Sequence, residues 1–330
     1  HTSPAITLED DLVRRDLTIN AMAEDEQGNL IDPFGGMRDL EQGILRHVSP
    51  AFAEDPLRVL RVARFSARLD FRVADETLQL MRGLSASGEL DALAPERIWM
   101  ETERALGEKY PARYIQVLRD CSALRVLYPA IDRLFGVPQP VKYHPEIDTG
   151  THTLMALVQA ARLTDEPVVR FAVLVHDLGK GLTPASDWPQ HIGHEISGVL
   201  LVEELCQRYR VPNAFRELAV LVTRYHLDAY RVRDMRPETL LEKLEALDAF
   251  RRPERFGQFL LACEADARGR QGFEDRDYSQ AGYFRNALQA ASSIDIPSLV
   301  ERGLQGEDMA KAVRAQRIAA VKQMMADDTK

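Results

Sequence analysis

The chain has 330 residues, 45% hydrophobic and 28% charged, which is enough apolar material for two or three domains. Its net charge of −9 argues against indiscriminate nucleic-acid binding through the global field, so any polyanion must be met by a local patch. The cysteines, Cys121, Cys206 and Cys263, are widely separated and exclude a disulfide framework, and no apolar run reaches the length of a membrane span.

The first residue is His1 and a polar segment follows without a basic-then-apolar leader, so the expectations are a protein missing its front and a cytoplasmic location. From Leu12 to Ala23 the pattern is partly alternating and β-capable. Asp25 to Asn29 forms a turn and Leu30 to Pro33 resumes the apolar run, which predicts a hairpin. Gly35-Gly36 ends it, a short helical piece runs through Met37 to Gln42, and Ile44 to Val48 reads as a further strand.

Glu54-Asp55-Pro56 reads as a helix start, with the helix running from about Asp55 to Leu69. Arg58, Arg61, Arg64 and Arg68 then fall within an arc of about 120°, opposite Val59, Leu60, Val62, Ala63 and Ala67. Such a row either forms a solvated face or lines a cleft whose guest carries phosphates. Asp55 and Arg58, one turn apart, either present acceptor and donors to a nucleobase edge or pair with each other. Residues 75 to 128 read as amphipathic helices, with Glu96-Arg97 and Glu101 to Arg104 on solvated faces. The breaker-rich Phe135 to Pro140 marks a domain boundary.

Six of the eight histidines lie between His144 and His226. His176-Asp177 closes an apolar helical segment, placing two metal-ligand types at one helix end, and His152 stands on a preceding helix. Amphipathic helices continue past Pro237 to the C-terminus, and Arg268 to Arg285 is an aromatic-containing charged stretch read as a solvated loop or an RNA contact.

Arg14-Arg15-Asp16-Leu17-Thr18-Ile19-Asn20-Ala21, Ile31-Asp32-Pro33 and Glu54-Asp55-Pro56-Leu57-Arg58 to Arg64 resemble the motifs of class II tRNA nucleotidyltransferases, the CCA-adding enzymes. His152, His176-Asp177, Lys180 and a later Asp resemble the HD superfamily of metal-dependent phosphohydrolases. The resemblance implies an α+β, mostly α fold: the end of a nucleotidyltransferase head over residues 1–48, a helical neck over 49–140, an HD domain over 141–250 and a helical tail over 251–330.

The resemblance further implies addition of C, C and A to tRNA 3′ ends from CTP and ATP. Arg15 would contact the triphosphate, Asp55 and Arg58 the base edge, and Arg61 and Arg64 the phosphates. The family's catalytic Asp-x-Asp, which holds Mg²⁺, does not precede Thr7, so the chain alone is expected not to transfer nucleotides. The HD part would hold Mg²⁺, Ni²⁺ or Mn²⁺ through His152, His176, Asp177 and Asp266, and hydrolyse 2′,3′-cyclic or 2′-phosphates. Lys180 would meet a phosphate; Asp228 competes with Asp266; His191 and His194 are further ligands or phosphate contacts. The alternatives are a stand-alone phosphohydrolase, a bacterial poly(A) polymerase and a binding-only RNA module. A homo-oligomer stays open, and no membrane partner is expected.

Overall fold

The computed structural model describes residues 7–328. The head portion holds α1 (Leu8–Leu12), the antiparallel hairpin of β1 (Ala23–Glu24) and β2 (Leu30–Ile31), α2 (Gly36–Gln42) and β3 (Ile44–Leu45). The predicted hairpin is present, with strands of only two residues. The β-capable run before it is not a strand: Thr7 caps α1 through a reciprocal capping box, and residues Thr18–Asn20 form a 3₁₀ turn. The strand expected over 44–48 shortens to Ile44–Leu45, which pairs in parallel with β4 (Arg72–Val73) beyond the next helix.

That helix, α3 (Arg58–Leu69), begins three residues later than the sequence suggests. Residues Pro50–Glu54 form a 3₁₀ helix capped by Ser49, and Asp55 is extended, its carboxylate accepting the Leu57 N–H at 3.1 Å. Glu54-Asp55-Pro56 is therefore the joint between two helical pieces. Its acidic side chain is held just ahead of α3.

The neck continues through α4 (Asp75–Ala86), α5 (Pro95–Gly107), α6 (Pro111–Asp120), α7 (Ala123–Leu127) and α8 (Pro129–Asp132). Then follow α9 (Thr149–Leu163), α10 (Pro167–Val175), α11 (His194–Arg208), α12 (Asn213–Tyr230), α13 (Pro237–Ala246) and α14 (Pro253–Arg268). The chain closes with α15 (Ser279–Ser292), α16 (Ile296–Glu301) and α17 (Gly306–Asp328). Helices α5, α6, α10, α13 and α14 open on a proline, which suits the first turn because its missing N–H would have no helical partner there.

One hydrophobic core runs from Leu17 to Val321, so the neck and the histidine-bearing helices are packed as one body. At the junction Trp99 of α5 meets Phe171 of α10 and Phe215 of α12 edge-on, with ring centroids 5.3 and 5.0 Å away. Beside them Arg170 is 1% exposed and donates to the carbonyls of Leu106, Glu108 and Thr164. Its charge is satisfied at the C-terminal end of α5, where free carbonyls and the helix dipole favour a cation. The three cysteines are buried free thiols. Among the described residues no helix is long and apolar enough to cross a membrane.

Candidate functional site

Two groups of residues stand out, a cationic cleft at the start of α3 and a buried histidine–carboxylate cluster among α9, α10, α11, α12 and α14. The cleft encloses about 550 Å³ and brings together Arg15, Asp55, Arg58 and Arg61 with Arg14, Asp16, Phe65 and Arg97. Arg58 donates to the carbonyls of Ala51 at 2.6 Å and Arg14 at 2.5 Å, so the start of α3 is tied to the head. Arg61 pairs with the buried Asp16 at 2.7 Å, and Asp16 also accepts from Asn20 at 3.0 Å. Asp55 pairs with Arg97 of α5 at 3.0 Å, not with Arg58. Arg15 pairs with Asp11 at the exposed rim.

Arg64 departs from its expected role. It is 8% exposed and turns into the neck, where it meets Glu101 at 2.7 Å and Glu108 at 3.5 Å. Three residues on from Arg61, it is offset by about 60° around the helix and so passes the cleft edge, and Glu101, read from the sequence as solvated, is buried to receive it. Arg97, read likewise as a solvated charge, is the cleft residue that sequence reasoning missed; its partner lies 42 positions away. No local pattern announces such a pairing.

In the second group, His176 caps the C-terminal end of α10, His152 stands on α9, His194 opens α11, His226 lies on α12 and Asp266 on α14. The four histidines share one arrangement: Nδ1 is anchored on a backbone carbonyl and Nε2 is left facing the carboxylates. The carbonyls are Gly269 for His152 at 3.0 Å, Val173 for His176 at 2.7 Å and His191 for His194 at 2.7 Å. For His226 they are Val222 and Thr223, each at 3.1 Å. His152 Nε2 lies 3.0 Å from Asp266, His176 Nε2 3.2 Å from Asp177, His194 Nε2 3.4 Å and His226 Nε2 3.7 Å from Asp177.

Nitrogen lone pairs and carboxylate oxygens thus converge without donors between them. His176 Nε2, His194 Nε2 and Asp177 Oδ1 are buried with no hydrogen-bond partner. Buried acceptors in this state are costly unless a cation sits among them, so these residues fit a divalent ion. The Asp177 and Asp266 carboxylates dominate the field around His176. Burial alone would lower the His176 pKa, yet Asp177 and Asp266 push it up to about 10. Burial would raise Asp177, but the charges of His176 and Lys180 hold it well below the usual carboxylate range. His226, buried beside His176, is pushed down to about 3.

Lys180 is buried against Asp177 at 2.7 Å and Gln139 at 2.6 Å, so its ammonium secures the Asp177 carboxylate and is not free to project from the cluster. His191 is not in the cluster: Pro138 O and Thr183 Oγ1 occupy its two ring nitrogens, and it contributes only the carbonyl that orients His194. Asp228 is also outside, on the far side of α12, paired with Lys243 at 2.7 Å. Two positions before it, His226 is the cluster member that the sequence reading passed over, although its four-residue offset from Val222 on a buried helix face was visible. Glu146 was missed too. Its buried carboxylate lies 3.1 Å from His152 Nδ1 and 2.9 Å from His144 Nδ1, and fixes the His152 tautomer from behind. The tail helix α14 supplies Asp266, so the segment past residue 251 shares this centre.

Glycines make these approaches feasible. A Cβ on Gly179 would lie 2.0 Å from the His194 carbonyl, and one on Gly269 would lie 2.4 Å from Ala156 Cα. Only glycine lets α11 meet the turn after α10, and the end of α14 meet α9.

Residues 1–46 match the Poly A polymerase head domain, 70–135 the probable RNA- and SrmB-binding site of polymerase A, and 149–251 the HD domain. The multifunctional CCA protein of Thioalkalivibrio sulfidiphilus is 62% identical over 330 residues, covering 99% of this chain and 81% of that protein. That of Nitrosococcus oceani is 59% identical, covering 97% and 79%. Among solved structures, a CCA-adding enzyme complexed with ATP aligns with a TM-score of 0.62 at 20% identity, covering 98% of this chain and 71% of that one. The Thermotoga maritima CCA-adding enzyme complexed with tRNA aligns at 0.60 and 21%, covering 97% and 74%, so the mostly helical fold is shared. By its identity and coverage, the chain belongs to the multifunctional CCA protein family.

Proposed function

We propose that the protein is a nucleotidyltransferase that adds C, C and A to tRNA 3′ ends from CTP and ATP, and that its HD domain is a metal-dependent phosphohydrolase. The observation that carries this reading is the separation of two sites: an open cationic cleft at α3 and a dry ligand cluster among α9 to α14. We divide the chain as head, neck, HD domain and tail, at residues 48, 140 and 250.

In the cleft, Arg58 is held in place by two carbonyls and keeps donors on one side of a nucleobase. Asp55 offers the acceptor once Arg97 yields, Arg61 is aimed by Asp16, and Arg15 stands at the rim where a triphosphate enters. The neck that buries α3 would face the acceptor end of tRNA, in the cytoplasm where tRNA matures.

His152, His176 and Asp177 of the HD domain and Asp266 of the tail would hold the ion, with His194 and His226 completing its surroundings. When bound, a divalent ion lowers the pKa of water and offsets charge on the phosphoryl oxygens. Lys180 holds Asp177 ionised, Glu146 and Gly269 keep His152 Nε2 directed inward, and the surrounding core excludes bulk water. The phosphoester is a 2′,3′-cyclic or 2′-phosphate of RNA, and the metal is Mg²⁺, Ni²⁺ or Mn²⁺.

The test uses full-length protein, tRNA lacking its 3′ end, and adenosine 2′,3′-cyclic phosphate. Arg58→Ala is expected to scramble C and A choice while hydrolysis persists; His176→Ala is expected to abolish hydrolysis while addition persists. Loss of both activities in either variant, with folding intact by circular dichroism, would refute the two-site reading.

A further inference from the structure

Beyond the metal cluster lies a pocket that the proposed chemistry leaves unused. Tyr230 follows His226 by four residues on α12, and Arg270, two residues past the end of α14, brings its guanidinium to 3.8 Å from Asp266. The pocket they border therefore adjoins two of the cluster's side chains, about one helical turn, 5–6 Å, beyond His226 on the Tyr230 side. Arg268, Phe273, Arg276 and Tyr278 complete its wall, and Asp277 is its single carboxylate.

The guanidinium of Arg270 is the centre of this wall. It lies 5.5 Å from the Tyr230 ring centroid, and its Nε is buried with no hydrogen-bond partner among the described residues. The carboxylate nearest to it, Asp266, is 3.8 Å away and already engaged by His152 at 3.0 Å. Arg276 packs over Phe273 at 5.2 Å, whereas Arg268 is committed to Glu264 at 2.7 Å. A sheltered guanidinium with unspent donors, a second beside it and aromatic walls suit a phosphate ester better than a neutral group.

We propose that this pocket is an anion subsite that takes the 5′-side phosphate of a nucleotide whose 2′,3′ end lies at the metal cluster. The inference rests on the phosphohydrolase reading and sharpens its substrate class: an RNA 3′ end carries that phosphate, whereas a free nucleoside 2′,3′-cyclic phosphate does not. One turn of helix separates subsite from cluster, about the span of one ribose. The charged stretch after Arg268 is then a substrate contact.

The test compares adenosine 2′,3′-cyclic phosphate with and without a 5′-phosphate, in the full-length protein. Two readouts are taken: kcat/KM with metal present, and Kd by calorimetry after chelation. Wild type is expected to prefer the 5′-phosphorylated probe by about tenfold or more, the worth of one charge-assisted hydrogen bond. Arg270→Ala is expected to bring the preference close to one, and Arg270→Lys to keep part of it. A wild-type preference near one overturns the subsite. So does an Arg270→Ala variant that weakens both probes equally, which would mean that Arg270 only steadies Asp266. Failure of wild type to hydrolyse either probe would sink the phosphohydrolase reading instead, and the Kd comparison would still decide the subsite.

Discussion

Nε2 of His194 stands 3.4 Å from Oδ1 of Asp177, across the seam where Gly179 touches the first turn of α11. The absent side chain at 179 is what allows that distance, because a methyl group there would collide with the His194 carbonyl at 2.0 Å. Gly179→Ala is therefore expected to push α11 away, costing on the order of 1–3 kcal/mol or more in stability. It should also weaken divalent-metal binding at least tenfold, a loss typical when a ligand's support is disturbed. Urea unfolding and calorimetric titration with Ni²⁺ measure the two effects.

Metal should stabilise the fold through the cluster. At a concentration near 100 times Kd, the gain is about 2.7 kcal/mol, visible as a rise in Tm that a chelator reverses. His226→Ala is expected to shrink the rise, whereas Asp228→Asn, which breaks only the Lys243 pair, should leave it in place. Equal rises in the wild type and His226→Ala would remove His226 from the centre.

Arg61 and Arg64 sit three residues apart and should behave differently. Arg64→Ala leaves the buried Glu101 with only the longer Arg104 pair at 3.7 Å, so a stability loss of about 3 kcal/mol is expected. Arg61→Ala faces the open cleft; it should raise the KM for CTP and ATP in the full-length protein with a smaller change in stability. Thermal melts and nucleotide-addition kinetics separate the two outcomes.

His47 gives a pH signature at the head–neck joint. Burial and the charge of Arg46 lower its pKa below the usual value of 6.5, and its Nδ1 is 2.7 Å from Thr77 Oγ1. The unfolded chain then binds a proton more readily than the folded one. The contribution of His47 is present above about pH 6.5 and is lost as pH falls through its lower folded value. His47→Gln is expected to flatten the difference in Tm between pH 7.5 and pH 5; an unchanged slope would reject this account.

What could be read along the chain was whatever rests on neighbours in sequence: the hairpin turn, the body of the arginine helix, and His176-Asp177 closing an apolar helix. The family motifs are likewise contiguous strings, and they pointed to CCA addition and to an HD centre. Partner choice was different. That Arg64 seeks Glu101, that Asp55 takes Arg97, and that His226 joins the cluster while Asp228 turns away depend on the rotation of each helix against its neighbours. Those rotations are set by the shared core and by contacts such as Gly179 on α11, which bring together residues tens of positions apart. Local periodicity tells which face of a helix is buried, but only packing decides what that face meets.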